Sequence, residues 1–160
     1  MNAYTDTLTS PIGPLTVVVN GDGALTRVLF AHQPPPASAE ADPGRCANAV
    51  AQLREYFAGE RTEFDLPLSP AGSEFQRSVW DQLRRIGYGH VTDYGSLGAS
   101  IGRPYAARAV GRANATNPIP IVIPCHRVIG ANGSLTGYAG GMEAKRLLLD
   151  LESRAAAVAA

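Results

Sequence analysis

The feature that most constrains this chain is a break in its sequence pattern near residue 72. Residues 66–70 have the sequence LPLSP, and two prolines so close together exclude a helix and favour an extended connector. Ser73 and Gln76 follow with the spacing of an N-terminal capping box, so a helix is expected to begin there. In a chain of 160 residues, this pattern predicts two domains, at residues 1–72 and 73–160.

Electric charge is divided unevenly along the chain, although the formal net charge is zero. Residues 1–75 contain four arginines and nine acidic residues, a net charge of −5. Residues 76–160 contain ten lysines or arginines and five acidic residues, a net charge of +5. A basic C-terminal half favours a phosphate-bearing partner, but the count alone is equally compatible with chance variation in surface charge.

The composition is that of an ordinary globular protein, with 45% hydrophobic and 18% charged residues. No apolar run is long enough to span a membrane, and the N-terminus lacks the pattern of a secretory signal. The two cysteines, Cys46 and Cys125, are far apart, so we expect free thiols in a reducing cytoplasm. The histidines and cysteines lack the paired spacing of a metal site, and no nucleotide-binding loop is present.

The N-terminal part predicts a small α/β domain. Residues 15–19 and 25–30 are rich in β-branched side chains and flank the sequence NGDG, which predicts a β-hairpin. Residues 32–43 are polar and proline-rich and predict a surface loop. Residues 48–58 carry apolar side chains at helical spacing, so we expect a helix there.

The C-terminal part predicts a mainly helical domain. The helix that begins at Ser73 is expected to stop at Gly87. Two short helices, at residues 94–101 and 106–115, are joined by a tight turn, which resembles a helix-turn-helix. Arg108 and Arg112 lie four residues apart on the second of these helices, so they share one face. That face either meets a phosphate backbone or is a solvated basic surface.

A candidate nucleophile lies beyond the second short helix. Residues 119–123 are almost entirely apolar and predict a buried strand, which Cys125 follows together with a histidine and an arginine. A base or positive charge near a thiol lowers its pKa and favours the nucleophilic thiolate. The last predicted helix, residues 143–152, ends at Glu152, whose carboxylate would suit the imidazole of His126. The alternatives are an inert buried cysteine and a solvated Glu152, and spacing does not decide between them.

Residues 117–128, with the sequence NPIPIVIPCHRV, resemble the active-site motif of the O6-alkylguanine-DNA alkyltransferases. This family is also called the methylated-DNA–protein-cysteine methyltransferases. The resemblance is strong over residues 73–152, whereas residues 1–70 resemble the more variable N-terminal domain of the family. Supporting segments occur in the family's order: Tyr88-Gly89, Tyr94-Gly95, residues 107–111 (ARAVG) and residues 137–141 (GYAGG).

The resemblance implies a DNA repair protein that needs no cofactor. It would bind duplex DNA carrying O6-alkylguanine or O4-alkylthymine through its helix-turn-helix and flip the damaged base into a pocket. The Cys125 thiolate would accept the alkyl group irreversibly, so each molecule would act once. The resemblance also implies a monomer that can assemble cooperatively on DNA.

The resemblance assigns roles to residues of this chain. His126 would act as the base through a water molecule, with Glu152 orienting it, and Tyr94 would hydrogen-bond the damaged base. Asn117 would tie the second short helix to the active-site turn, and Arg108 would replace the extruded base in the stack. Further DNA contacts would come from Arg112, Ala107 and Ala109, and the pocket would be lined by Val128, Tyr138, Ala139, Gly140 and Lys145.

The chain departs from some relatives at positions that affect these roles. Ala139 stands where some relatives have a serine, and Ala115 where some have a further basic residue, which predicts altered lesion tolerance and modest DNA affinity. The zinc ligands of some relatives are absent from the N-terminal part. Two other functions stay open: a noncatalytic module that binds lesions, and a cysteine hydrolase that uses Cys125, His126 and Glu152.

Overall fold

The computed structural model describes residues 2–159, with the side chains of residues 2–155. The chain forms two compact units, Met1–Ala71 and Gly72–Ala160. The first unit combines a small sheet with one helix, and the second is mainly helical, so the predicted mixed α/β class is confirmed. Within the described residues, no helix is long and apolar enough to cross a membrane.

The N-terminal unit contains a four-stranded sheet of β1 (Ala3–Leu8), β2 (Leu15–Asn20), β3 (Leu25–Leu29) and β4 (Glu40–Ala41), in the order β3-β2-β1-β4. β1 pairs antiparallel with β2 and parallel with β4, and β2 pairs antiparallel with β3, which is the predicted hairpin. The hydrophobic patterns missed β1 because most of its side chains are polar and half-buried.

Helix α1 (Pro43–Phe57) packs on β1 and β2 and completes the core of this unit. It begins five residues before the predicted start at residue 48, because Asp42 caps it by accepting a hydrogen bond from the Arg45 amide at 3.1 Å. Proline is compatible with the first turn of a helix, where its missing N–H group has no partner to lose. The helix prediction, which began at residue 48, therefore missed the first turn of α1, and the predicted loop at residues 32–43 overlaps the helix only at Pro43.

Helix α2 (Glu74–Leu83) opens the C-terminal unit with the predicted capping box of Ser73 and Gln76. The helix ends at Leu83, short of the expected end near residue 87. The indole Nε1 of Trp80 donates a hydrogen bond to the Ala113 carbonyl at 2.8 Å, deep in the core. This bond joins α2 to the second helix of the predicted helix-turn-helix.

The helix-turn-helix consists of α3 (Tyr94–Ser100) and α4 (Ala107–Ala115), which pack against each other and against α2. Gly98 allows the close approach in the turn, because a Cβ atom there would lie 2.8 Å from the Arg103 carbonyl oxygen. The amide of Arg103 donates to the Gly98 carbonyl at 2.8 Å. A side chain at this glycine would therefore push the two helices apart.

The strand predicted at residues 119–123 is wrong, because this buried segment is a compact turn. Pro120 within the segment, and Pro118 and Pro124 beside it, lack the N–H groups that a strand needs, and the Asn117 side chain bonds backbone groups of the turn instead. Asn117 accepts from the Ile119 amide at 2.9 Å and donates to the Ile123 carbonyl at 2.7 Å. Ile121 in the turn has a φ of 75°, a left-handed conformation that is rare for a β-branched residue.

The turn leads into a single 3₁₀ turn, Cys125–Arg127, and then into strand β6 (Val128–Ile129). β6 pairs in parallel with β5 (Thr92–Asp93), which immediately precedes α3. Helix α5 (Met142–Ala159) packs against the 3₁₀ turn and extends beyond the predicted end at residue 152. The short β5–β6 pairing therefore brings the start of α3 next to the segment that contains Cys125.

Candidate active site

Cys125 lies at the first position of the 3₁₀ turn and is 5% exposed. Its amide donates to the Ile123 carbonyl at 2.8 Å, and its own carbonyl accepts from Asn114 Nδ2 of α4 at 3.4 Å. Asn117 forms a hydrogen bond with the thiol, in addition to holding the preceding turn. The cysteine is therefore fixed by backbone and amide contacts from α4 and from the turn.

The ionisation of Cys125 differs from the prediction of a depressed pKa. Burial raises the pKa of its thiol to about 11 and outweighs the hydrogen bond from Asn117 and the positive charge of Lys145, which both lower it. Burial removes the water that would solvate a thiolate, an effect that the residues adjacent to Cys125 in sequence do not indicate. The resting protein therefore holds this sulfur as a thiol at neutral pH.

His126, Arg127 and Glu152 form a buried network. His126 Nε2 lies 2.7 Å from Glu152 Oε2. Arg127 donates from Nε to Glu152 Oε1 at 2.8 Å and from Nη2 to Oε2 at 3.0 Å. All three side chains are almost completely buried, and Arg127 also donates from Nη1 to the Ile86 carbonyl at 2.6 Å. One carboxylate therefore holds both the imidazole and the guanidinium.

The charge states in this network follow from burial and hydrogen bonding. Burial lowers the pKa of His126, although the hydrogen bond and charge of Glu152 oppose the shift. Burial alone would raise the pKa of Glu152, but the hydrogen bonds from His126 and Arg127 outweigh it and lower the value to about 2. Glu152 is therefore a carboxylate and His126 a neutral imidazole at pH 7. Since a carboxylate only accepts, the neutral imidazole carries its proton on Nε2 and presents Nδ1 as an acceptor.

Helix α5 supplies Glu152 from a buried stripe. Lys145, Leu148 and Glu152 are spaced by three and four residues, so they share one face of the helix. They are 0%, 0% and 1% exposed. The structure thus places Glu152 in the core beside His126 rather than in solvent, which was the alternative that spacing left open.

Tyr94 lies at the first position of α3, where Asp93 caps the helix by accepting from the Ser96 amide at 2.7 Å. The pairing of β5 with β6 holds this helix start beside Val128. The hydroxyl oxygen of Tyr94 lies 2.5 Å from Thr136 Oγ1. Lys145 Nζ lies 3.2 Å from the same threonine oxygen, so the three polar groups form one chain.

The predicted DNA-contacting residues lie on α4, outside this buried network. Ala107, Arg108 and Arg112 are exposed, and Ala109 is half-buried. The opposite face of α4, with Val110 and Ala113, packs into the core. The helix therefore presents two arginines and small alanines on its accessible side, while its buried side contacts Trp80.

The predicted pocket residues divide into two groups. Val128 and Lys145 are buried. Burial raises the pKa of Tyr138, which lies close enough to Cys125 that a thiolate there would raise it further. Ala139 is exposed and Gly140 is half-buried in the loop that precedes α5. The structure thus brings Val128, Tyr138 and Lys145 to the cysteine, whereas Ala139 and Gly140 lie at the surface.

Sequence reasoning missed three residues of this site. No role was predicted for Arg127, although it lies in the motif directly after His126, and this position could have indicated it. Asn114 was overlooked because a polar residue on a small helix predicts a solvated position. Thr136 lies in a loop with no pattern that indicates a partner, so nothing in the sequence alone points to it.

The family model described as "6-O-methylguanine DNA methyltransferase, DNA binding domain" matches residues 74–154 of this chain. The family model described as "6-O-methylguanine DNA methyltransferase, ribonuclease-like domain" matches residues 3–70.

Curated relatives carry the matching name. The methylated-DNA–protein-cysteine methyltransferase of Mycobacterium tuberculosis (strain ATCC 25618 / H37Rv) is 52% identical over 155 residues, which cover 94% of this chain and 93% of the relative. The constitutive methylated-DNA–protein-cysteine methyltransferase of Bacillus subtilis (strain 168) is 43% identical over 160 residues, covering 95% and 96% of the two chains.

A solved structure shows the same fold. The crystal structure of Mycobacterium tuberculosis OGT in complex with DNA has a TM-score of 0.90 and 48% sequence identity, covering 97% of this chain and 94% of that chain. The family models over both halves of the sequence indicate the family that the motif around Cys125 resembles. The fold and the names of the relatives indicate the same family. The chain therefore belongs to the 6-O-methylguanine DNA methyltransferase family, the family of the methylated-DNA–protein-cysteine methyltransferases.

Proposed function

We propose that this protein repairs O6-alkylguanine in duplex DNA by transferring the alkyl group to the sulfur of Cys125. The observation that carries the proposal is the buried network in which Glu152 holds His126, next in sequence to the cysteine, at 2.7 Å. A carboxylate, an imidazole and a thiol in this order form a nucleophile with an oriented base. The relatives named methylated-DNA–protein-cysteine methyltransferase support the same reaction.

The first step removes the proton from the thiol. His126 is neutral at pH 7 and donates its Nε2 hydrogen to Glu152, so its Nδ1 is the atom that accepts a proton. Among the described residues, Nδ1 has no hydrogen-bond partner. The proton of Cys125 passes to Nδ1 through a water molecule, and the carboxylate of Glu152 stabilises the imidazolium that forms.

The second step transfers the alkyl group. The Cys125 thiolate attacks the alkyl carbon in line with its bond to guanine O6, a carbon–sulfur bond forms, and the carbon–oxygen bond breaks. Its electron pair goes to the guanine ring, which leaves more readily because the Tyr94 hydroxyl donates a hydrogen bond to the base. The proton held by His126 then passes through water to the guanine, so both groups return to their neutral forms. The thioether has no internal route back to a thiol, so each molecule acts once.

The helix-turn-helix brings DNA to this site. The exposed Arg108 of α4 takes the place of the flipped base in the stack, and the small side chains of Ala107 and Ala109 allow α4 to lie close to the groove. Arg112, one turn further along, neutralises a phosphate, and the +5 charge of residues 76–160 strengthens this attraction. DNA binding should therefore weaken as the salt concentration rises.

We propose that the flipped base binds beside the cysteine. Val128 and Tyr138 would contact it, Lys145 would lie behind it, and the backbone of Ala139 and Gly140 would face guanine O6. We also propose that the protein acts as a monomer in the cytoplasm, where a reducing environment keeps the Cys125 thiol available.

The test is the mass of the protein before and after incubation with duplex DNA that contains one O6-methylguanine. We expect a net gain of one CH₂ unit, located by peptide mapping to Cys125 and lost in Cys125→Ala. The matched control is Cys46→Ala, which removes the other thiol and should still gain the mass. Methylation of Cys46, or tight binding to the lesion without any mass gain, would refute the proposal, and the second result would favour a noncatalytic lesion-binding module.

A further inference from the structure

Thr136 occupies a position between two groups of the proposed active site. Its side-chain oxygen lies 2.5 Å from the Tyr94 hydroxyl and 3.2 Å from Lys145 Nζ. The residue is half-buried in the loop between β6 and α5, and it lies 42 residues from Tyr94 in sequence. This hydroxyl is therefore the bridge between a lysine on α5 and the tyrosine at the start of α3.

The hydrogen bonds of Lys145 fix the direction of this bridge. Its ammonium group is 0% exposed and has three acceptors: the Val128 carbonyl at 2.7 Å, the Thr136 carbonyl at 3.3 Å and Thr136 Oγ1 at 3.2 Å. An ammonium group has three donors and no acceptor. Thr136 Oγ1 must therefore accept from Lys145, and its own hydrogen is available for another partner.

The Tyr94 hydroxyl is the partner within reach of that hydrogen. When Thr136 donates to the oxygen of Tyr94, both threonine bonds are used and the tyrosine hydrogen stays available for a base in the site. The opposite direction, with Tyr94 donating to Thr136, would leave the threonine hydrogen unused and turn the tyrosine hydrogen away from the substrate. The fully satisfied order is therefore Lys145 to Thr136 to Tyr94.

We propose that Thr136 is a positioning residue, which orients the Tyr94 hydroxyl so that its hydrogen points to the flipped base. This inference rests on the proposed function, because it concerns the tyrosine that hydrogen-bonds the departing guanine. Thr136 does not touch the reacting carbon, and it acts through Tyr94. Its hydroxyl, rather than its size, is the property that the reaction requires.

Single-turnover methyl transfer from duplex DNA separates this role from DNA binding. The rate is measured by rapid quenching over a range of protein concentrations, which gives a maximal rate and a half-saturating concentration. Thr136→Val keeps the shape and removes the hydroxyl, so we expect the maximal rate to fall about tenfold or more, with half-saturation unchanged. Thr136→Ser restores the hydroxyl and should recover the rate to within about threefold.

Two further variants show whether the hydroxyl acts through the tyrosine. In a Tyr94→Phe background, Thr136→Val should cause no additional loss, because the oxygen that it orients is already absent. Thr26→Val is the matched control: Thr26 Oγ1 donates to the Val18 carbonyl in the sheet of the N-terminal unit, so the rate should not change. Thr136→Ala repeats the test if the valine variant does not fold, which urea unfolding followed by Trp80 fluorescence would reveal.

The outcomes distinguish this inference from the proposed function. A wild-type protein that transfers methyl groups, together with a Thr136→Val variant of equal rate, would overturn the role of Thr136 alone. Additive losses in the Tyr94→Phe background would also overturn it, because the threonine would then act independently. A wild-type protein that transfers no methyl group would overturn the proposed function, and this inference with it.

Discussion

Replacing Glu152 by glutamine should lower the free energy of unfolding by an amount that depends on pH. The carboxylate is 1% exposed and accepts hydrogen bonds from His126 and from two nitrogens of Arg127. Glu152→Gln keeps the size of the side chain but leaves the buried guanidinium without a compensating charge. A buried arginine without its partner typically destabilises a protein by about 3–5 kcal/mol.

The ionisation of Glu152 gives a second magnitude for the same contacts. Its pKa falls from the ordinary 4.5 to about 2 in the folded protein. A carboxylate with a depressed pKa stabilises the fold fully above its unfolded pKa, and this stabilisation is lost as the pH falls toward the folded pKa. At 1.36 kcal/mol per pKa unit, Glu152 contributes about 3 kcal/mol at pH 7 and about 1 kcal/mol at pH 3. The glutamine variant lacks this dependence.

The single tryptophan makes the measurement direct, because Trp80 lies in the core of the C-terminal unit and is 1% exposed. Urea unfolding followed by its fluorescence gives the free energy of unfolding at pH 7, 5, 4 and 3. The difference between wild type and Glu152→Gln should be largest at pH 7 and should shrink steadily below pH 4.5. The control is Asp150→Asn, an exposed carboxylate on the same helix, which should shift all values by less than about 1 kcal/mol. Parallel curves for wild type and Glu152→Gln from pH 7 to pH 3 would refute the assigned charge state.

Three further outcomes test other parts of the structure. Arg108→Ala should slow methyl transfer from duplex DNA by more than tenfold and leave the reaction with free O6-methylguanine base unchanged, because only the duplex requires base flipping. Equal losses of rate in the two quench assays would contradict the role of Arg108. Gly98→Ala should lower the free energy of unfolding by about 1–3 kcal/mol in urea titrations, since its Cβ would lie 2.8 Å from the Arg103 carbonyl; an unchanged midpoint would contradict the close contact. Iodoacetamide should label Cys125 at least about a hundredfold more slowly than free cysteine at pH 7.5, because the pKa of its thiol is about 11; rapid labelling in a timed mass assay would indicate a stable thiolate.

Local patterns in this sequence predicted the structure correctly where interactions between residues close in sequence determine it. Ser73 and Gln76 predicted the start of α2, because a capping box is formed within four residues. The turn between β2 and β3 was equally local, since the Asn20 side chain accepts hydrogen bonds from the amides of Asp22 and Ala24. The motif around Cys125 was sufficient to predict the family. The predicted hairpin and helices were sufficient to predict the mixed α/β class.

The parts that sequence could not predict depend on contacts between distant residues. Residues 119–123 have the composition of a buried strand, but the side chain of Asn117 and the surrounding prolines form a turn. The neighbours of Cys125 indicated a low thiol pKa, whereas the burial that raises it is created by elements far along the chain. Thr136 became part of the site only through Tyr94 and Lys145, which no spacing in the sequence connects to it.

Helix α5 links the two halves of the proposed reaction. Lys145 and Glu152 lie seven residues apart on its buried face, which separates their backbone positions by about 10 Å along the helix axis. Glu152 holds the imidazole that, in the proposed reaction, would take the proton from the nucleophile, and Lys145 reaches Tyr94, which would assist the leaving guanine, through Thr136. Because a helix is rigid over two turns, both ends of the displacement are held at a fixed separation by one element. The buried face of α5 keeps Lys145 and Glu152 out of water, so each of these groups interacts only with the protein groups that surround it.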